Sequence, residues 1–209
     1  MNPASMHRVS LEPSGQSLDL WAPIVAALLA GGLTLLFVRI GLKAMHSSHQ
    51  ILISPLYRGV LSGVLLGAVF ALHPFLRGAG YYELELLQVY EFGTLVLLLV
   101  ALLKLAMTLF SVLGGWLGGT IFPLFFVGAA LGEAVTHIIP GNTDATMLAA
   151  MTSAVYMNLE KPWLTPVLML LLVANLQIPA LLVGLAIGWL LKRLLMSDLA
   201  LPAAGAHHH

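Results

Sequence analysis

The 209-residue chain is 59% hydrophobic and only 9% charged, with a mean hydropathy of +0.96, whereas soluble domains carry roughly 25% charged residues. Nine Lys+Arg balance nine Asp+Glu, so no net field points to nucleic acid or to an acidic partner. Cysteine is absent, which excludes disulfides and thiolate metal sites. These numbers describe an integral membrane protein.

Residues 1–19 are polar, with Pro3, Pro13 and Gly15, and lack the basic-then-apolar order of a cleaved signal peptide. Leu20 to Val38 follows as 19 uncharged residues, enough to span roughly 30 Å of hydrocarbon at about 1.5 Å per residue. Arg39 and Lys43 close this first span, and Ser47, Ser48, His49 and Gln50 mark a loop. A second span runs from Ile51 to Leu72. Its Gly59, Gly63 and Gly67 share one face and predict close packing on another helix.

The segment 77–91 carries Arg77, Glu83, Glu85 and Glu91, with Tyr81 and Tyr82 at a depth that suits interfacial aromatic rings. It reads as a solvated extracytoplasmic or interfacial loop, with an acid cluster for protons or cations as the alternative. The third span is Phe92 to Val112, with Lys104 deep inside, where an ionised group is costly and marks a functional candidate. Lys104 can attract anions toward the glycine break that follows, or equally snorkel to an interface or mark an end of the span.

Leu105 to Gly132 is a run of 28 residues without charge, yet it is no ordinary span. Gly114, Gly115, Gly118 and Gly119 precede Pro123. Glycine permits backbone that a helix interior does not need, and proline suits a first helical turn. The spacing predicts a break over 114–119 and a new helix from Thr120 or Ile121. A helix starting inside a membrane presents free amides and the positive end of its dipole, which an anion satisfies. A glycine-rich kink packed on a neighbour is the structural alternative.

The new helix runs to His137 and stops at Pro140-Gly141-Asn142. Glu133 and His137 share a face; capping and interfacial solvation of the helix end is the first reading, a proton relay the second. No third ligand accompanies them, so no metal site is expected. Residues 144–159 form a short Ala/Met-rich helix capped by Asp144 or Thr143. Pro162 to Leu191, 30 uncharged residues, splits near Asn175-Leu176-Gln177 into helices 163–174 and 178–195, with Lys192 and Arg193 at the last end. The closing His207-His208-His209 reads as a tag remnant and enters no metal argument. The organisation is a polar segment 1–19, a membrane domain 20–195 and a tail 196–209.

Gly119-Thr120-Ile121-Phe122-Pro123, continuing Leu124-Phe125-Phe126-Val127-Gly128-Ala129-Ala130-Leu131-Gly132, resembles the Gly-x-Phe-x-Pro segment of CLC-type chloride channels and anion/proton antiporters. Here Ile121 stands at the family's phenylalanine, with Phe122 one place later, and the Pro-Leu-Phe-Phe wording is similar to the fluoride-exporting branch. Glu160-Lys161-Pro162 resembles the family's Arg-Ala-Pro turn, and Asn175-Leu176-Gln177 its Asn-Tyr-Gln. The similarity covers about 20–195, with Gly119–Gly132 its specific part.

The resemblance implies an all-α polytopic fold of broken and tilted helices, one inverted-repeat half. It implies an anion-binding segment of Gly119, Thr120, Ile121, Phe122 and Pro123, with a halide held by the backbone N–H groups of 119–122 and Pro123 setting the helix start; Phe125, Phe126 and, from its intramembrane charge, Lys104 are pathway-lining candidates. The first repeat's Gly-Ser-Gly-x-Pro and Gly-Arg-Glu-Gly-Pro segments have no match, nor does the final helix with its anion-coordinating tyrosine. Three architectures follow: two copies assembled as inverted halves, a partner protein supplying the first half, or a non-transporting remnant. Arg39, Lys43 and Arg58 favour one side, while Arg77, Lys161, Lys192 and Arg193 read as spread among other ends. That weak bias permits an antiparallel homodimer.

The expected function is a CLC-like channel or transporter for chloride or a related halide in the cell (plasma or inner) membrane. It works as a homo-oligomer or with a partner half, passive conduction standing ahead of proton-coupled exchange. The alternative is a structural or regulatory membrane subunit that transports nothing. No enzyme activity, cofactor, metal or nucleic-acid partner is expected.

Overall fold

The computed structural model describes residues 19–48, 54–72, 83, 84, 87, 92–115, 119–173 and 176–195. They form seven helices: α1 (Trp21–Ser48), α2 (Pro55–Leu72), α3 (Thr94–Leu113), α4 (Ile121–Thr136), α5 (Thr143–Asn158), α6 (Leu164–Leu172) and α7 (Ile178–Leu195). The fold is all-α, as expected. Three helices contain spans long and apolar enough to cross a membrane: Trp21–Ala44, Thr94–Leu113 and Ile178–Leu195. Leu56–Ala71 and Ile121–Thr136 are shorter apolar helices. Leu95, Leu99 and Leu102 of α3 and Leu182, Trp189 and Leu194 of α7 are exposed, the outward apolar surface that a bilayer solvates.

The centre of the molecule is α5. Ala145 to Val155 and Met157 are all buried, and α1, α4 and α7 pack around the helix. Its small side chains let neighbouring backbones come close. A Cβ added at Gly128 would stand 2.5 Å from Met151 Cα, and one at Gly132 2.5 Å from Met147 Cα. On the opposite flank a Cβ at Gly184 would stand 2.5 Å from the Ala149 carbonyl oxygen. These are close approaches between backbones, the role small residues play where helices associate in lipid. Asn142 caps α5, its side chain accepting from the Ala145 amide at 2.9 Å. The cap is therefore neither Thr143 nor Asp144, because both already lie inside the first turn.

The first span runs further than expected. α1 continues beyond Val38 through Arg39 and Lys43 to Ser48, since basic side chains at a helix end reach polar partners without ending the helix. Arg39 donates to the Leu195 carbonyl at the end of α7. The predicted split after Pro162 holds, with α6 ending at Leu172 and α7 beginning at Ile178. In α2, Gly59 meets the cap of α3 at ordinary contact distance, a Cβ there lying 3.6 Å from the Gly114 carbonyl oxygen. At Gly67 nothing among the described residues comes within 4 Å, so the predicted packing stripe is used at its start and not there.

Two ends of the bundle can be told apart. At one end α1 begins, α4 ends and α5 begins, with Gly141 against Ala22 and His137 bonded to Thr94 at the start of α3. At the other, Asn158 meets Thr120, Lys192 donates to the Leu159 carbonyl at 2.6 Å, and Arg39 meets Leu195. That second end gathers Arg39, Lys43, Arg58, Lys161, Lys192 and Arg193. Among the described residues, Lys161, Lys192 and Arg193, which read as spread among other ends, thus lie at the same end as Arg39, Lys43 and Arg58. Arg77 lies outside the described residues.

Candidate functional site

The interruption between α3 and α4 follows from local backbone rules. α3 closes at Leu113 with Gly114 as its cap, and the Gly115 amide bonds back to the Val112 carbonyl. Gly115 has φ of +79°, the left-handed conformation in which glycine routinely ends a helix. Residues 116–118, including Gly118, lie outside the described residues. Thr120 caps α4 by backbone alone, without a side-chain bond to the first turn. The first amide to return into the helix is that of Leu124, to the Thr120 carbonyl at 3.2 Å. Pro123 occupies a first-turn position that needs no donor. Helix geometry leaves the amides of Thr120 and Ile121 without an intrahelical acceptor, at the positive end of the α4 dipole.

The Thr120 hydroxyl turns instead to α5, where the Asn158 side-chain amide donates to Thr120 Oγ1 at 2.6 Å. This bond fixes the start of α4 on the end of α5. Asn158 is a functional candidate that the sequence reading passed over; a lone amide closing an apolar helix was the available signal. Phe122 is 36% exposed at the outer side of the α4 start, whereas Phe125 and Phe126 are fully buried in the core. Thr120, Ile121, Phe122 and Pro123 are therefore grouped, with Gly119 leading into them, and Phe125 and Phe126 lie below. The α4 start stands at the bundle end that holds Lys192 and Arg39.

Lys104 is 2% exposed. Its ammonium lies 3.4 Å from Glu83 Oε1 and 5.4 Å from the centre of the Phe126 ring. Glu83 is itself only 6% exposed, which corrects the reading of that glutamate as part of a solvated loop: a buried lysine draws a counter-charge inward. Glu85 and Glu91 lie outside the described residues. The lysine charge is thus compensated where it sits, and it braces α3 against the core below the α4 start.

The Glu133–His137 pair divides. His137 is exposed, with Nδ1 3.1 Å from Thr94 Oγ1. Glu133 is buried and its Oε2 has no hydrogen-bond partner, so interfacial solvation describes the histidine and not the glutamate. Among the described residues no group of His, Asp and Glu has the arrangement of a metal site.

The family model described as voltage gated chloride channel matches residues 3–193, and the chain belongs to that family. It is a membrane protein of the chloride channel and transporter type. No curated protein matches it.

Proposed function

We propose that this domain forms one wall of an anion pathway, with a partly dehydrated halide held at the start of α4 by the backbone amides of residues 119–122. The observation that carries the reading is the restart of α4 at Ile121, after a glycine with positive φ, with Pro123 in the first turn. Such a helix start offers amides and a positive dipole end to an anion, and neighbouring side chains set what passes. Phe122, at the outer side of the restart, narrows the approach. Phe125, Phe126 and Lys104 act from beneath, holding the backbone in place. The pathway is completed by a second half, supplied by another copy of this chain or by a partner protein.

The test is halide efflux from liposomes holding only the purified protein, run with chloride and then with fluoride while external pH is recorded. Flux that falls on replacement of Thr120 or Pro123, in protein still correctly assembled, supports the site. Unchanged flux in those variants sinks it. A proton signal accompanying the anion separates exchange from conduction. No flux from folded, inserted protein moves the reading to a missing partner half or to a subunit that transports nothing.

A further inference from the structure

Glu133 is 9% exposed and its Oε2 has no hydrogen-bond partner. Glu83, similarly buried, has Lys104; among the described residues Glu133 has no such cation. An ionised carboxylate stripped of water and left unbonded costs far more than the same group carrying a proton. Among the described residues, the elements packed on α4, which are α1, α3 and α5, supply no positive charge to it either. On α3 the cation is Lys104, committed to Glu83 and to the Phe126 ring. On α5 the nearest charged residue along the helix is Asp144, in its first turn. On α1 the cations are Arg39 and Lys43, at the opposite end of the bundle, while Asp19 precedes the helix at the near end. On α4 itself the other titratable group is His137, the C-cap.

Helical periodicity places Phe126, Ala130, Glu133 and His137 on one face of α4. Two contacts show that this face meets α3: Phe126 lies under the Lys104 ammonium, and His137 bonds to Thr94. On α3, Thr94, Leu97, Ala101 and Lys104 recur at alternating spacings of three and four, the matching stripe. Glu133 therefore lies on the α3–α4 seam, one helical turn inward from an exposed imidazole.

We propose that Glu133 is an internal proton-binding site of this seam, held as the neutral acid and loaded from the bundle end through His137. In the loading step an imidazolium at His137 gives its proton to the Glu133 carboxylate and becomes neutral imidazole, which water then reprotonates. Thr94 holds the ring at the mouth of the seam. The state of the site follows the pH at the end of the molecule opposite the basic cluster. The proposal does not depend on the anion pathway.

The experiment is infrared spectroscopy of the purified full chain in lipid at neutral pH, first in H2O and then in D2O. The native protein is expected to show a protonated-carboxyl stretch that shifts in D2O. It should vanish in Glu133→Gln and persist in Glu160→Gln, whose carboxyl is exposed. If the glutamine variant does not fold, Glu133→Asp keeps an acid at the site and should displace the band. Absence of the band in the native protein, or a band untouched by the Glu133 variants, overturns the proposal. In His137→Ala the D2O shift should slow by about a hundredfold, the scale of a positioned proton-transfer group; an unchanged rate overturns the entry route. The readout needs no anion flux, so it is decided separately from transport.

Discussion

Lys104 sits midway along α3 with its ammonium beside Glu83 and above Phe126. Removing one member of a buried pair costs about 3–5 kcal/mol, whereas replacing both with apolar groups is often neutral. Glu83→Gln is therefore expected to lower thermal stability in detergent sharply, and Lys104→Met combined with Glu83→Leu to recover most of the loss. A double variant as unstable as the worse single one would show that the pair is not what holds the segment. The lysine itself was visible as an intramembrane charge, but its partner was not. Glu83 lies 21 positions earlier, in a stretch whose glycines, tyrosines and three glutamates read as solvated; its buried place is legible only once the chain brings it beside Lys104. Asn158 was hidden for a similar reason, since its meaning depends on Thr120 being brought to the end of α5. Asn158→Leu leaves that hydroxyl without its donor, a loss of about 1 kcal/mol, and is expected to reduce halide flux in the liposome assay.

At the scale of elements, the break between α3 and α4 was legible because glycine and proline act locally. Gly115 takes the positive φ that glycine tolerates best, and Pro123 fixes its own φ and needs no donor in a first turn. The extent of α1 was not legible, since Arg39 and Lys43 look like an end until the end of α7 supplies a carbonyl for Arg39. The central place of α5 was hidden too, because a short Ala/Met-rich helix gives no sign that it will be enclosed on every side. Its packing makes a testable contrast between glycines. Gly128→Ala puts a methyl 2.5 Å from Met151 Cα, on backbone that cannot swing aside, and overpacking of this kind costs about 1–3 kcal/mol. Gly67→Ala meets nothing among the described residues within 4 Å and gains helix propensity of up to about 1 kcal/mol. Thermal melts of the two variants should therefore move in opposite directions. Equal shifts would mean that α4 and α5 do not meet as closely as described.

For the whole molecule, the decisive feature is where the basic residues fall. Along the chain they looked scattered, and scatter would let the protein insert either way up and pair with an inverted copy of itself. Among the described residues, Arg39, Lys43, Arg58, Lys161, Lys192 and Arg193 share one end, while the other carries Asp19, His137 and Asp144. Lys and Arg near the ends of spans are retained on the cytoplasmic side, so the basic end is expected to face the cytoplasm in every copy. Inverting a copy for an antiparallel dimer would carry that whole cluster across the membrane. A complementary half inserted the opposite way is then better supplied by a different polypeptide segment than by a second copy. Because the chain has no cysteine, single reporters decide the matter. Ile138→Cys, at the acidic end and 71% exposed, should react with a membrane-impermeant thiol reagent on intact cells. Glu160→Cys, at the basic end, should react only after permeabilisation. Labelling of both from outside would demonstrate two orientations, and the self-assembled inverted pair would again be the simplest way to close the pathway.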